Sequence, residues 1–170
     1  TWLASSRGNR TSYSRAAPKQ LIVLLFVCCV AGCGNPRAVG VYEVRRQAGI
    51  QYAERGTGPL KMDIGFPISE NTTNRPAVLW LHGGGYALGT RQCMSDMVEF
   101  TASLGYVSAT ADYRLTTEGA RLADIYTDAR DAYMFLRHNA TQFGIDPDRI
   151  SVGGDSAGGH LALLVGLKEG

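Results

Sequence analysis

Two glycine-rich turns hold the residues whose types and spacing allow chemistry to be read. One is His82-Gly83-Gly84-Gly85-Tyr86, and the other is Gly153-Gly154-Asp155-Ser156-Ala157-Gly158-Gly159-His160. Within the second, Gly154 to Gly158 fits G-x-S-x-G, a pattern that sets a serine on a sharp strand-to-helix turn. Backbone there is strained, and side chains two positions to either side would collide with the turn, which accounts for glycine at both. The strain exposes the serine Oγ above the sheet and aims the N–H groups behind it, at the positive end of a helix, toward a developing oxyanion. That arrangement suits nucleophilic attack by Ser156 on a carbonyl carbon. A phosphate-cradling loop is the competing use of such a turn. It requires Gly-Lys-Ser/Thr or G-x-G-x-x-G after a strand, and neither occurs.

Both turns need strands before them and helices after them. Ala77-Val78-Leu79-Trp80-Leu81, directly before His82, has no polar residue and fits a strand buried on both faces of a parallel sheet. Further strands are expected at Tyr106 to Ala111 and at Ile150 to Val152, and two half-exposed antiparallel ones near Tyr42 to Arg46 and Leu60 to Phe66. Met94 to Leu104 reads as a helix. Leu122, Ile125, Tyr126, Ala129, Tyr133, Leu136 and Ala140 recur at spacings of three and four and predict another. Helix alternating with strand implies an α/β fold with a doubly wound, mostly parallel sheet.

A histidine and three glycines after one buried strand, followed by G-x-S-x-G after a later one, is the layout of an α/β-hydrolase oxyanion loop and nucleophile elbow. With Asp112-Tyr113-Arg114-Leu115 and Asp146-Pro147-Asp148-Arg149-Ile150, these pieces make the chain from about Tyr42 onward resemble the hormone-sensitive-lipase-like branch of α/β-hydrolase esterases. It is equally similar to the related bacterial carbohydrate-ester and feruloyl-type esterases. The resemblance implies a carboxylic ester hydrolase working through an acyl-enzyme on Ser156, with oxyanion donors at the N–H groups of Gly84, Gly85 and Ala157. His82 would then be structural, and Gly83, Gly154 and Gly158 would support the two motifs. Tyr86 and Leu88 either line an acyl pocket or pack the loop. The implied partner is a small ester, with no cofactor or metal. An arylformamidase or a serine peptidase would share this machinery, and a hydrolase-like lipoprotein that only binds is an alternative of another class.

In this fold the triad acid and histidine follow the serine along the chain. Only His160 and Glu169 do so here. His160 sits on the elbow helix with no acid to orient it, and His138 reads as a surface residue. The expectation is therefore a domain truncated just after the elbow helix, lacking its base, and inactive or nearly so as residues 1–170.

Composition agrees with one globular body carrying a distinct head. The 170 residues are 45% hydrophobic and 19% charged, with 17 basic and 15 acidic side chains. A net charge of +2 gives no field for nucleic acid, and the apolar fraction excludes a disordered chain. Arg7, Arg10, Arg15 and Lys19 occupy residues 1–32 without a single acid. They precede Leu21 to Val30, an uncharged run too short to span a bilayer as a helix. A basic lead, a short apolar core and small residues at its end predict a secretory signal over 1–32. Val30-Ala31-Gly32-Cys33 resembles the bacterial lipoprotein box, which implies cleavage before Cys33, a diacylglycerol on its sulfur and attachment to a bacterial membrane through lipid alone. Gly34 after the cysteine favours the outer membrane. Residues 33–40 then form a linker and 41–170 the N-terminal part of the hydrolase domain. Once Cys28 and Cys29 leave with the signal and Cys33 is lipidated, Cys93 alone remains, so no internal disulfide is expected. His82, His138 and His160 are too far apart to suggest a metal set.

Overall fold

In a computed structural model of the chain, residues 41–169 and the backbone of Val23–Phe26 are described. Val23–Phe26 forms β1, followed by β2 (Val44–Arg55), β3 (Gly58–Pro67) and β4 (Arg75–Leu81). Then come helix α1 (Ser95–Ser103), β5 (Val107–Ala111), α2 (Leu122–His138), the single turn α3 (Ala140–Phe143), β6 (Ile145–Asp155) and α4 (Ser156–Glu169). The sheet runs β1-β6-β4-β5-β3-β2. The four strands from β1 to β5 are mutually parallel, while β3 and β2 close the other side antiparallel. The chain has the α/β-hydrolase fold.

Strand alternation explains why β4 lacks a polar face. Val78 and Trp80 pack with Met94 and Val98 on the α1 side. Ala77, Leu79 and Leu81 point the other way, into a core shared with Ile125, Ala129 and Leu136 of α2 and Leu161, Ala162 and Val165 of α4. Helices on both faces leave no exposed row along the strand. The polar tip of Trp80 is satisfied inside, its Nε1 donating to Thr101 Oγ1 at 3.1 Å.

Several elements extend past their sequence signals. The expected strand near Tyr42 to Arg46 continues to Arg55, because Gly49 (φ 73°) makes a bulge whose N–H donates to Asp63 Oδ1 (2.7 Å) and pairing resumes beyond it. The strand expected at Ile150 to Val152 spans Ile145–Asp155, with an irregularity opposite Arg75 and Ala77 that lets Asp146 to Arg149 stand out of the ladder. Met94 to Leu104 divides into a 3-10 turn, Arg91–Met94, and α1. The long helix stops at His138, so Ala140 lies in α3, and Leu122 at the head of α2 is 45% exposed rather than part of the core stripe.

Of the run expected as the apolar core of an export signal, Val23–Phe26 pairs in parallel with Val152–Asp155 of β6. A strand with unpaired backbone groups offers a template, and a run of leucine, valine and phenylalanine suits it. The rest of the predicted signal, Cys33 and the linker lie outside the described residues. No described helix is long and apolar enough to cross a membrane.

Candidate active site

Strand β6 ends at Asp155 and helix α4 begins at the next residue, so the chain reverses direction within one peptide unit. The reversal places Ser156 at φ 46°, left-handed backbone that a side chain adopts at a cost of about 1–3 kcal/mol. Glycines make it sterically feasible. A Cβ on Gly154 would lie 2.5 Å from the Leu81 carbonyl oxygen, and one on Gly158 would collide with the same oxygen. The first turn of α4 thus rests directly on the end of β4. Ser156 is exposed while Ala157, Gly158 and Gly159 beneath it are buried. Its Oγ has no hydrogen-bond partner among the described residues.

The loop after β4 carries three consecutive positive φ angles: Gly84 at 111°, Gly85 at 59° and Tyr86 at 66°. Ala87 and Leu88 both donate to the Gly84 carbonyl at 3.1 Å, folding the loop into a compact turn. Neither the Gly84 nor the Gly85 N–H has a partner among the described residues, and both glycines are exposed. Ala157 is the second residue of α4, in the first turn, where the N–H groups have no intrahelical acceptor. Gly83 meets the Asp155 carboxylate so closely that a Cβ there would overlap it, which places this loop against the elbow.

His82 is buried at 1% exposure, stacked on Tyr113, and its Nδ1 donates to the Gly83 carbonyl (2.8 Å). Burial lowers its pKa, so the ring is held neutral and inside the loop's base. Burial foremost, with the Asp155 carboxylate second, raises the Tyr113 phenol far above its usual range, so it stays protonated and donates to the His82 carbonyl at 2.5 Å.

Two polar networks carry the frame. Arg91 bridges Asp63 (2.8 Å) and Asp112 (2.6 Å), and its N–H also donates to Asp112 (2.9 Å), tying the chain after the His82–Tyr86 loop to β3 and the end of β5. The fully buried Asp128 of α2 receives Arg114 through Nε (2.7 Å) and Nη2 (2.9 Å), and Arg55 through Nε (2.8 Å). Asp112 and Arg114 of the Asp-Tyr-Arg-Leu segment therefore hold position rather than reach toward Ser156.

No described histidine bonds to Ser156. His82 is enclosed, His138 is exposed at the end of α2, and His160 pairs through Nδ1 with the Tyr86 hydroxyl at 2.5 Å. That Tyr86–His160 link was not foreseen from the sequence, although one residue closes the first motif and the other closes the second. Among the described residues there is no cluster of potential metal ligands.

The BD-FAE family model matches residues 62–170. Over 126 residues the chain is 32% identical to the non-reducing polyketide synthase ausA of Aspergillus calidoustus, covering 68% of this chain and 5% of ausA. It is 37% identical over 94 residues to carboxylesterase NlhH of Mycobacterium tuberculosis, covering 54% of this chain and 29% of NlhH. The thermophilic esterase Est2 of Thermogutta terrifontis superposes with a TM-score of 0.63 and 32% identity, over 75% of this chain and 44% of Est2. The chain spans less than half the length of each of these proteins.

Proposed function

Because the chain belongs to the BD-FAE family of α/β-hydrolase esterases, we propose that the protein hydrolyses small carboxylic esters through an acyl-enzyme on Ser156. One observation carries the reading: Ser156 stands exposed at φ 46° beside a loop whose Gly84 and Gly85 N–H groups have no acceptor among the described residues. In the proposed reaction Ser156 Oγ attacks the ester carbon while a histidine takes its proton. The N–H groups of Gly84, Gly85 and Ala157 hold the oxyanion of the tetrahedral intermediate, each contributing about 2.7–4 kcal/mol. Collapse expels the alcohol, which receives the proton from the imidazolium. Water activated by the same base then cleaves the acyl-serine to the carboxylic acid. The Est2 structures phosphorylated by paraoxon and phosphonylated by sarin support covalent chemistry of this type through their similarity to this chain.

We assign the base and its acid to the part of the domain that relatives have beyond the aligned region, since no described histidine meets Ser156. Residues 1–170 alone should then turn over 4-nitrophenyl acetate no faster than their Ser156→Ala variant. The full-length protein should exceed its own Ser156→Ala variant by on the order of 10⁴- to 10⁶-fold. Equal rates for the full-length pair would refute the reading. Within the family we place the protein in the hormone-sensitive-lipase-like and feruloyl-type branch, on the strength of the His82 to Tyr86 and Gly154 to His160 motifs.

The head is proposed to direct export and lipidation at Cys33, with attachment to a bacterial outer membrane; the cleavage before Cys33 would also remove Val23–Phe26 from its pairing with β6. Radiolabelled palmitate should appear on the protein in a bacterial host and be lost in Cys33→Ser. Label that persists in that variant would remove the anchor from the account.

A further inference from the structure

The proposed oxyanion donors and the proposed nucleophile sit on separate segments, so their spacing must be fixed by something that joins them. Tyr86 follows Gly85 immediately, and His160 lies four residues after Ser156, on the same face of α4. The Tyr86 hydroxyl and His160 Nδ1 meet at 2.5 Å with their rings edge to face, centroids 6.2 Å apart. At its other end Tyr86 is also held: its carbonyl accepts from the Thr116 N–H (2.8 Å) and Oγ1 (3.2 Å). The residue between these anchors has φ 66°, a conformation that a tyrosine keeps only where its surroundings impose it.

We propose that Tyr86 and His160 form a latch that sets the distance between Ser156 and the Gly84 and Gly85 N–H groups, making both positioning residues. The inference rests on the esterase reading above. In the latch the Tyr86 hydroxyl donates to His160 Nδ1, which makes His160 a holder of the loop and not the base. Because the donors act on charge that develops only in the transition state, loosening the latch lowers kcat and leaves KM nearly unchanged.

The test uses the full-length protein with Tyr86→Phe, His160→Ala and His160→Asn. The Asn side-chain oxygen can occupy the place of Nδ1 and accept from the Tyr86 hydroxyl. Two readouts are taken. Amide exchange is followed at Ala87, Leu88 and Thr116, whose N–H groups are bonded only if the loop keeps its turn, with the Val78 and Leu79 amides of β4 as a folding control. Ester turnover gives kcat and KM. Tyr86→Phe and His160→Ala should speed loop exchange about tenfold, the scale of one hydrogen bond, with β4 unchanged. They should lower kcat roughly 10- to 100-fold with KM within about twofold. His160→Asn should recover most of both effects. If the wild type turns over ester and neither loop exchange nor kcat responds to Tyr86→Phe or His160→Ala, or if His160→Asn matches His160→Ala, the latch is overturned while the esterase reading stands. If the wild type shows no turnover yet loop exchange responds as expected and His160→Asn restores it, the latch stands and the esterase reading falls.

Discussion

The imidazole of His82 and the phenol of Tyr113 lie face to face, ring centroids 4.1 Å apart and planes 11° from parallel, and the Tyr113 hydroxyl donates to the His82 carbonyl. The stack joins the base of the His82–Tyr86 loop to the segment leaving β5. It also explains Gly89, where a Cβ would collide with the His82 ring. Neither ring has room for a proton-transfer role, and each is worth more as packing.

This stack makes stability depend on pH. Burial lowers the His82 pKa below its ordinary 6.5, so as pH falls through that value the unfolded chain binds a proton that the folded chain refuses. Stability contributed by the neutral ring is therefore complete above the unfolded value and is lost below it. Urea midpoints taken from about pH 8 down to about pH 5 should fall on the acid side, and His82→Gln should flatten the fall. An equally steep fall in that variant would place the acid sensitivity elsewhere.

Helix α4 lies so close to β4 that Gly158 cannot carry a side chain without displacing the Leu81 carbonyl. Gly158→Ala should lower unfolding stability by about 1–3 kcal/mol through overpacking, measured by denaturant titration. Gly56, in the β2–β3 hairpin with open space around it, should tolerate alanine far better. Equal losses at the two positions would argue against the close approach.

Asp128 is enclosed beneath two arginines that arrive from β2 and from the chain after β5. Asp128→Ala leaves two guanidinium groups without their shared carboxylate and should cost about 3–5 kcal/mol. Replacing Asp124, which pairs on the surface with Arg121, should shift the unfolding far less. Thermal unfolding of both variants distinguishes a buried tie from an ornamental one.

What could be read in the sequence was local. The unbroken apolar run from Ala77 to Leu81 announced a strand covered on both faces, and the two glycine-rich motifs announced loops at the ends of strands, where the structure places them. Glycine at 154 and 158 was legible because its reason, the absence of a Cβ, is a property of one residue. Contacts between distant segments were not legible in that way. Arg55 and Asp128 are 73 residues apart, and no pattern in either segment names the other. Tyr86 and His160, 74 residues apart, each looked complete within its own motif. The continuation of β2 past Gly49 depended on Asp63 of the next strand accepting the bulge N–H. Val23–Phe26 carries a signal that fits an export core and an edge strand alike, and only the open side of β6 gives it a place in the sheet.

In the proposed acyl-enzyme the acyl group is carried on Ser156 Oγ. Paraoxon applied to the full-length protein, followed by proteolysis and mass mapping of the peptide spanning Ile150 to Lys168, tests it most directly. The expected result is a diethylphosphoryl group on Ser156, loss of ester turnover in proportion to its occupancy, and no adduct in Ser156→Ala. Complete inhibition with Ser156 unmodified, or undiminished turnover in Ser156→Ala, would contradict it.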